Sequence, residues 1–181
     1  MLWHRRPHTA FELGAFTGAS AIWMADVLKL SDVECNIYSV DIDLSLLEPR
    51  AKELQPSNVT FIEGDCEKIE TVLPADFLAT QPHPWIVIDD VHDGMEAEEH
   101  FNNHVAPGDY IVCEDTNPDL PSEIGAGSIY EGYTDWGSAK LHAWKRFLAK
   151  NGDKYAIDTF FTDLFGYNST SNWDGFARCM K

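Results

Sequence analysis

Short apolar runs punctuate the first two-thirds of the chain at 11–15, 36–41, 59–63, 85–89 and 110–114. Each is rich in Val, Ile and aromatic residues, and each is bounded by polar or Gly/Pro punctuation. Between them, stretches at 18–30, 45–54, 67–79 and 95–105 are long enough for crossover helices. Strand and helix alternate, and strands that are nearly continuous in apolar residues are buried on both faces. The alternation predicts βαβ units and a parallel sheet with helices on both sides.

The pattern changes after residue 115. Residues 117–136 are rich in Pro, Gly, Ser and Tyr and show no period, which predicts a lid or acceptor loop. A helix is expected at 137–150, where Leu141, Trp144, Lys145 and Leu148 fall at helical spacing and Asn151-Gly152 supplies a stop. Two further strands, at 155–161 and 175–180, flank the polar segment 168–174. The expected fold is therefore α/β: a Rossmann-like, seven-stranded, mostly parallel sheet with an antiparallel C-terminal strand and helices on both faces. No repeat or linker interrupts it, so residues 1–181 read as a single domain.

Two of the apolar runs end in acids. Ile86-Val-Ile-Asp-Asp-Val-His92 and Ile111-Val-Cys-Glu-Asp115 would bring Asp89, Asp90, Glu114 and Asp115 to the C-terminal tips of neighbouring strands. In open α/β sheets those tips face the ligand crevice. Crowded carboxylates are costly unless a cation binds or a proton is shared, so a divalent metal is the simplest resolution. Helix capping and solvation are the plainer roles for individual members.

The first run leads into Gly14-Ala-Phe-Thr-Gly18, a turn before a helix. Its spacing is neither a phosphate loop nor Gly-x-Gly-x-x-Gly. The second run ends in Asp41, placed for ribose hydroxyls, and Asp65 follows the third, placed for an adenine edge. Together these loops describe a nucleoside cofactor without phosphates.

Composition narrows the partners. Thirty acids against 13 basic residues give a formal net charge of −17, which repels nucleic acid and anionic membrane surfaces. No apolar run approaches a membrane span. Cys35, Cys66, Cys113 and Cys179 show no paired spacing, which predicts a reducing, cytoplasmic setting. Two more readings are bland: Glu96, Glu98 and Glu99 as a solvated helix face, and His100 with His104 as structural or exposed. Trp23 and Trp144 are expected to pack helices onto the sheet.

These residues resemble a class I S-adenosylmethionine-dependent methyltransferase. More closely, the chain is similar to the metal-dependent small-molecule O-methyltransferases of the cephalosporin hydroxylase-like, rhamnosyl and macrolide-sugar group. The resemblance rests on Glu12-Leu-Gly-Ala-Phe-Thr-Gly-Ala-Ser20, Ser39-Val-Asp-Ile-Asp43, Phe61-Ile-Glu-Gly-Asp65, Ile88-Asp-Asp-Val-His-Asp93, Val112-Cys-Glu-Asp-Thr-Asn117 and Asn172-Trp-Asp-Gly-Phe-Ala-Arg178.

The resemblance implies S-adenosylmethionine bound among Glu12, Gly14, Thr17, Gly18, Ser20, Asp41, Asp43, Asp65, Cys66 and Asp89. It implies Mg2+, or another divalent cation, held by Asp89, Glu114 and Asp115, with Asp90 competing with Asp89 for the first place. His92, three residues after Asp89, stands where the sugar-methylating relatives carry a general base; capping the next helix is its alternative role. Asp89 and His92 are thus the expected catalytic pair. Tyr130, Tyr133 and Trp136 are expected to form the acceptor pocket or to pack on the domain body.

The implied acceptor is a small hydroxylated molecule, a sugar, polyketide or catechol-like ring, as in natural-product biosynthesis. A non-catalytic nucleoside-binding module, or a metal-dependent hydrolase or oxygenase on a similar sheet, are the competing classes. Only ten residues precede the first predicted strand, where many relatives carry extra helices. That leaves open a shortened chain, a minimal enzyme, or a site completed by a second subunit of a homo-oligomer. Arg5 and Arg6 could meet a cofactor carboxylate or neighbouring acids.

Overall fold

The computed structural model describes residues 1–91, 94–116, 133–161 and 175–181, with the side chains of 133–138 outside that description. Its strands are β1 Thr9–Leu13, β2 Asn36–Asp41, β3 Val59–Glu63, β4 Trp85–Asp89, β5 Tyr110–Cys113, β6 Tyr155–Ile157 and β7 Gly175–Cys179. They form one sheet in the order β3-β2-β1-β4-β5-β7-β6. Strands β1 to β5 pair in parallel, and β7 runs antiparallel between β5 and β6. This is the mostly parallel sheet the apolar runs predict. Insertion of the last strand inside the sheet is a tertiary outcome with no local signal.

The helices are α1 Leu2–Arg5, α2 Ala19–Leu30, α3 Pro49–Leu54, α4 Ile69–Val72, α5 Ala75–Leu78, α6 Glu96–Asn102 and α7 Tyr133–Lys150. Local chemistry explains where they depart from expectation. The 67–79 stretch breaks at Pro74, which cannot donate into a continuous helix and instead precedes α5. Asp43 caps a 3-10 turn, Leu44–Leu46, ahead of α3. Helix α7 begins four residues before the expected 137, so only 117–132 of the lid segment lies outside the described residues. Strand β6 stops at Ile157, because the Asp158 carboxylate takes the Phe160 amide and a helical turn follows.

Side-chain alternation splits the interior into two layers. Phe11, Leu13, Val87 and Ile111 pack with Phe101, Trp144 and Phe147 on the α6 and α7 face. Ala10, Ile37, Ile86 and Val112 pack with Met24 and Leu28 of α2 on the other. Trp144 is buried as expected, but Trp23 is 62% exposed, on the outer side of α2. Arg5 pairs with Asp158 at 2.8 Å, and Arg6 donates to the Ser31 and Asp32 carbonyls, so both arginines fasten the N-terminal turn. All four cysteines are buried. Among the described residues, no helix is long and apolar enough to cross a membrane.

Candidate active site

Register brings the strand tips to one edge. Leu13 pairs with Val40 and Asp89, Asp89 with Cys113, and Asp41 with Glu63. Strands β2 and β4 flank β1 on opposite sides, which makes the β1 tip the topological switch point where α/β sheets bind ligands.

The glycine turn sits at that point. Gly14 has φ +100°, and a Cβ there would lie 2.8 Å from the Asp90 carbonyl oxygen. Gly18 has φ +79°, and its Cβ would meet Leu47 at 2.8 Å and Phe61 at 2.9 Å. Backbone conformation and close packing both demand glycine. Between them Phe16 takes φ +42° and stands 64% exposed. Its amide donates to Asp41 Oδ2 at 2.7 Å, and the Asp43 amide donates to Asp41 Oδ1 at 3.1 Å. Asp41 thus organises two loops, and a carboxylate with about four lone-pair positions still has capacity for further donors.

Glu12 is buried one residue before the β1 tip, with Ser39 and Ser20 hydrogen-bonded to its carboxyl. Burial raises its pKa, an effect the two serines partly offset. The Thr17 carbonyl accepts from the Glu48 amide at 3.1 Å, so the turn also rests on the start of α3. Asp65 is held by Lys68 at 2.6 Å and by the Glu67 amide, which keep its carboxyl below the usual range. Cys66 is buried in the 3-10 turn that Asp65 caps.

At the β4 tip the two aspartates face differently. Asp89 is 1% exposed, whereas Asp90 is exposed beside the glycine turn. Asp89 Oδ1 accepts from the Val91 amide at 3.1 Å, while Oδ2 lies 3.3 Å from Lys140 Nζ and 3.6 Å from the Cys113 thiol. Glu98 turns its carboxyl toward this group without reaching, among the described residues, a partner in hydrogen-bonding geometry. Burial, reinforced by the adjacent Asp89, pushes Glu98 well above the ordinary carboxylate range. Burial likewise raises the Cys113 thiol. For Lys140 burial is the largest influence and opposes the charge, but Asp89, Cys113 and Glu98 together hold the ammonium above its usual value.

Among the described residues, the His, Cys, Asp and Glu side chains that converge at ligating distances are Asp89, Glu98 and Cys113. Lys140 already supplies the cation of that buried group. Glu114 and Asp115 stand outside it, half-buried just beyond the end of β5. The Glu114 amide donates to the Asp89 carbonyl at 2.9 Å, and Asp115 takes the left-handed φ of +56°. Asp89, Glu114 and Asp115 offer hard oxygens on two paired tips, the donor chemistry that a divalent cation such as magnesium takes, but the three carboxylates do not converge as a group at ligating distance in this structure. His92, Asp93 and Tyr130 lie outside the described residues, as do the side chains of Tyr133 and Trp136, whose backbone is helical.

Pattern reading missed three side chains. Glu98 belongs to the interior, contrary to the solvated face expected of it; its spacing of three from buried Phe101 was the available signal. Lys140 stands four and seven residues before buried Trp144 and Phe147, which puts it on the inner face of α7. Phe16 gave no sequence signal. His100 proves structural, with its Nε2 2.8 Å from the Leu73 carbonyl. A cleft of about 740 Å3 near Lys29, Glu34 and Asn58 lies at the opposite edge of the sheet and is lined by none of the candidate cofactor, metal or catalytic residues.

The model of the rhamnosyl O-methyltransferase/CmcI family matches residues 1–180. The chain belongs to this family. It is thereby placed among S-adenosylmethionine-dependent O-methyltransferases. Solved structures of CmcI agree with the assignment. A ligand-free form is 27% identical with a TM-score of 0.69, and a form carrying magnesium and S-adenosylmethionine is 27% identical with a TM-score of 0.71. Each comparison covers 100% of this chain and 68% of the CmcI chain. TomG of Streptomyces achromogenes, an O-methyltransferase of tomaymycin synthesis solved with S-adenosylmethionine, shares the fold at 18% identity and a TM-score of 0.60, over 99% of this chain and 76% of its own. No curated protein sequence matches the chain.

Proposed function

We propose that this member of the rhamnosyl O-methyltransferase/CmcI family transfers a methyl group from S-adenosylmethionine to a hydroxyl of a small acceptor, a sugar, polyketide or catechol-like ring, with a divalent cation. The observation that carries the reading is the switch-point arrangement. Two glycines at positive φ open the β1 tip, Asp41 organises the adjoining loops, and acids crown β4 and β5 on the other side. The magnesium and S-adenosylmethionine of the similar CmcI structure support it.

Asp41 would accept ribose hydroxyls, and Asp65 would stand at the adenine edge after releasing part of its hold on Lys68. Glu12, Thr17, Ser20, Asp43 and Cys66 would shape the walls of that cofactor site. A magnesium ion held by Asp89, Glu114 and Asp115 would acidify an acceptor hydroxyl and orient it for attack. His92, next in chain after Val91, would take the hydroxyl proton, a task suited to imidazole near neutral pH. Segment 117–136 would cover the acceptor and exclude water, with Tyr130, Tyr133 and Trp136 available to line its pocket.

Calorimetric titration with S-adenosylmethionine, followed by transfer of a labelled methyl to 3,4-dihydroxybenzoate and to rhamnosides, tests this. One-site binding, and transfer that chelator removes and magnesium restores, is the expected result. A folded protein that does not bind S-adenosylmethionine would refute the reading.

A further inference from the structure

We infer that Lys140 is a positioning residue for the β4 tip, its ammonium holding Asp89 and the backbone leading to His92 in the arrangement that receives the divalent cation. This rests on the metal-dependent reading above and adds a residue from a different element, the interior face of α7.

An ammonium carries three donors. Among the described residues, Lys140 Nζ has three acceptors around it: the Val91 carbonyl at 2.7 Å, the Asp89 carbonyl at 3.2 Å and Asp89 Oδ2 at 3.3 Å. Its side chain is 2% exposed, so water does not compete. On the other side of the same segment, the Asp90 amide donates to the Leu13 carbonyl at 2.9 Å. Residues 89–91 are therefore gripped from β1 and from α7 together.

The Asp89 carboxylate is fixed along with the backbone. Its Oδ1 is held by the Val91 amide and its Oδ2 by Lys140 and Cys113, so its orientation is set before any cation arrives. A cation needed only to neutralise Asp89 would have no use for two main-chain carbonyls. Outer partners that orient a ligating carboxylate typically govern metal affinity by roughly 10- to 100-fold.

The experiment is Mn2+ binding, followed by electron paramagnetic resonance, to the protein saturated with S-adenosylhomocysteine. In Lys140→Met the Mn2+ dissociation constant should rise roughly 10- to 100-fold, while affinity for S-adenosylhomocysteine stays unchanged. Simple electrostatics gives the opposite sign, because deleting a nearby positive charge favours a cation. Mn2+ binding that is unchanged or tighter in the variant therefore overturns the inference.

Should Lys140→Met not fold, Lys140→Arg keeps the charge, but its planar fork cannot place donors on the same three acceptors. Weaker Mn2+ binding by that variant supports the clamp, and wild-type binding overturns it. A wild-type protein that binds S-adenosylhomocysteine but no Mn2+ would instead sink the metal-dependent reading, and the inference with it.

Discussion

The Phe16 amide donates to Asp41 Oδ2 at 2.7 Å, tying the glycine turn after β1 to the tip of β2. The contact holds a non-glycine residue at φ +42°, a conformation that needs surrounding support. One carboxylate thus shapes the turn and stands where ribose hydroxyls would arrive. Asp41→Ala should weaken S-adenosylmethionine binding by roughly 10- to 100-fold, the worth of one or two charge-assisted hydrogen bonds. Calorimetry checks it; wild-type affinity in the variant would remove Asp41 from the cofactor site.

Gly14 and Gly108 offer a controlled pair. Their φ values are +100° and +102°, but a Cβ at 14 strikes the Asp90 carbonyl, whereas no atom of the described residues lies within 4 Å at 108. Alanine at either position incurs backbone strain of about 1–3 kcal/mol. Gly14→Ala should cost more than Gly108→Ala in urea unfolding, and it alone should lower cofactor affinity. Equal costs would show that the β4 tip yields freely.

Glu12 gives a pH dependence of known sign. Burial raises its pKa above the ordinary 4.5 in the folded chain. A carboxyl raised in this way contributes stability that is fully present below 4.5 and is lost as pH rises through its folded value. Glutamine cannot ionise, so Glu12→Gln should gain stability relative to wild type as pH climbs from acid toward neutral. Urea midpoints of both proteins across that range decide it, and a constant gap would contradict the burial argument.

Asp109 anchors the opposite edge of the sheet. It accepts the Trp85 and Ala106 amides and His83 Nδ1, each at 2.7 Å. Asp109→Ala strands the Trp85 amide in the interior, at a cost of about 1–3 kcal/mol, and deprives the half-buried Ala106 amide of its acceptor. Thermal and urea unfolding should report the loss, while S-adenosylmethionine affinity per folded molecule stays at the wild-type value. A matching fall in affinity would mean that the two edges are coupled.

Much of the architecture was legible because it is local. Apolar runs bounded by polar residues marked β2, β3 and β4 to the residue, since strand burial on two faces leaves nearly continuous hydrophobicity. The glycine turn was legible because positive φ and close approach restrict composition. Helix ends were less legible: Gly137 lies inside α7, where burial of Trp144 and Phe147 overrides a weak local preference. Glu98 was misassigned because its neighbours Glu96 and Glu99 conceal one inward position among outward ones.

Sequence alone determined that acids crown two adjacent strand tips and that a glycine turn opens a third, because strand period and backbone sterics act over a few residues. Only the tertiary structure decided which acid turns inward and what meets it. Asp89 shares a sheet face with Trp85 and Val87, and the docking of α6 and α7 on that face brings Glu98 and Lys140 against it. Those partners lie 9 and 51 residues away in sequence. No local pattern records such a meeting, because helix packing, rather than propensity, sets which side chains share a buried space.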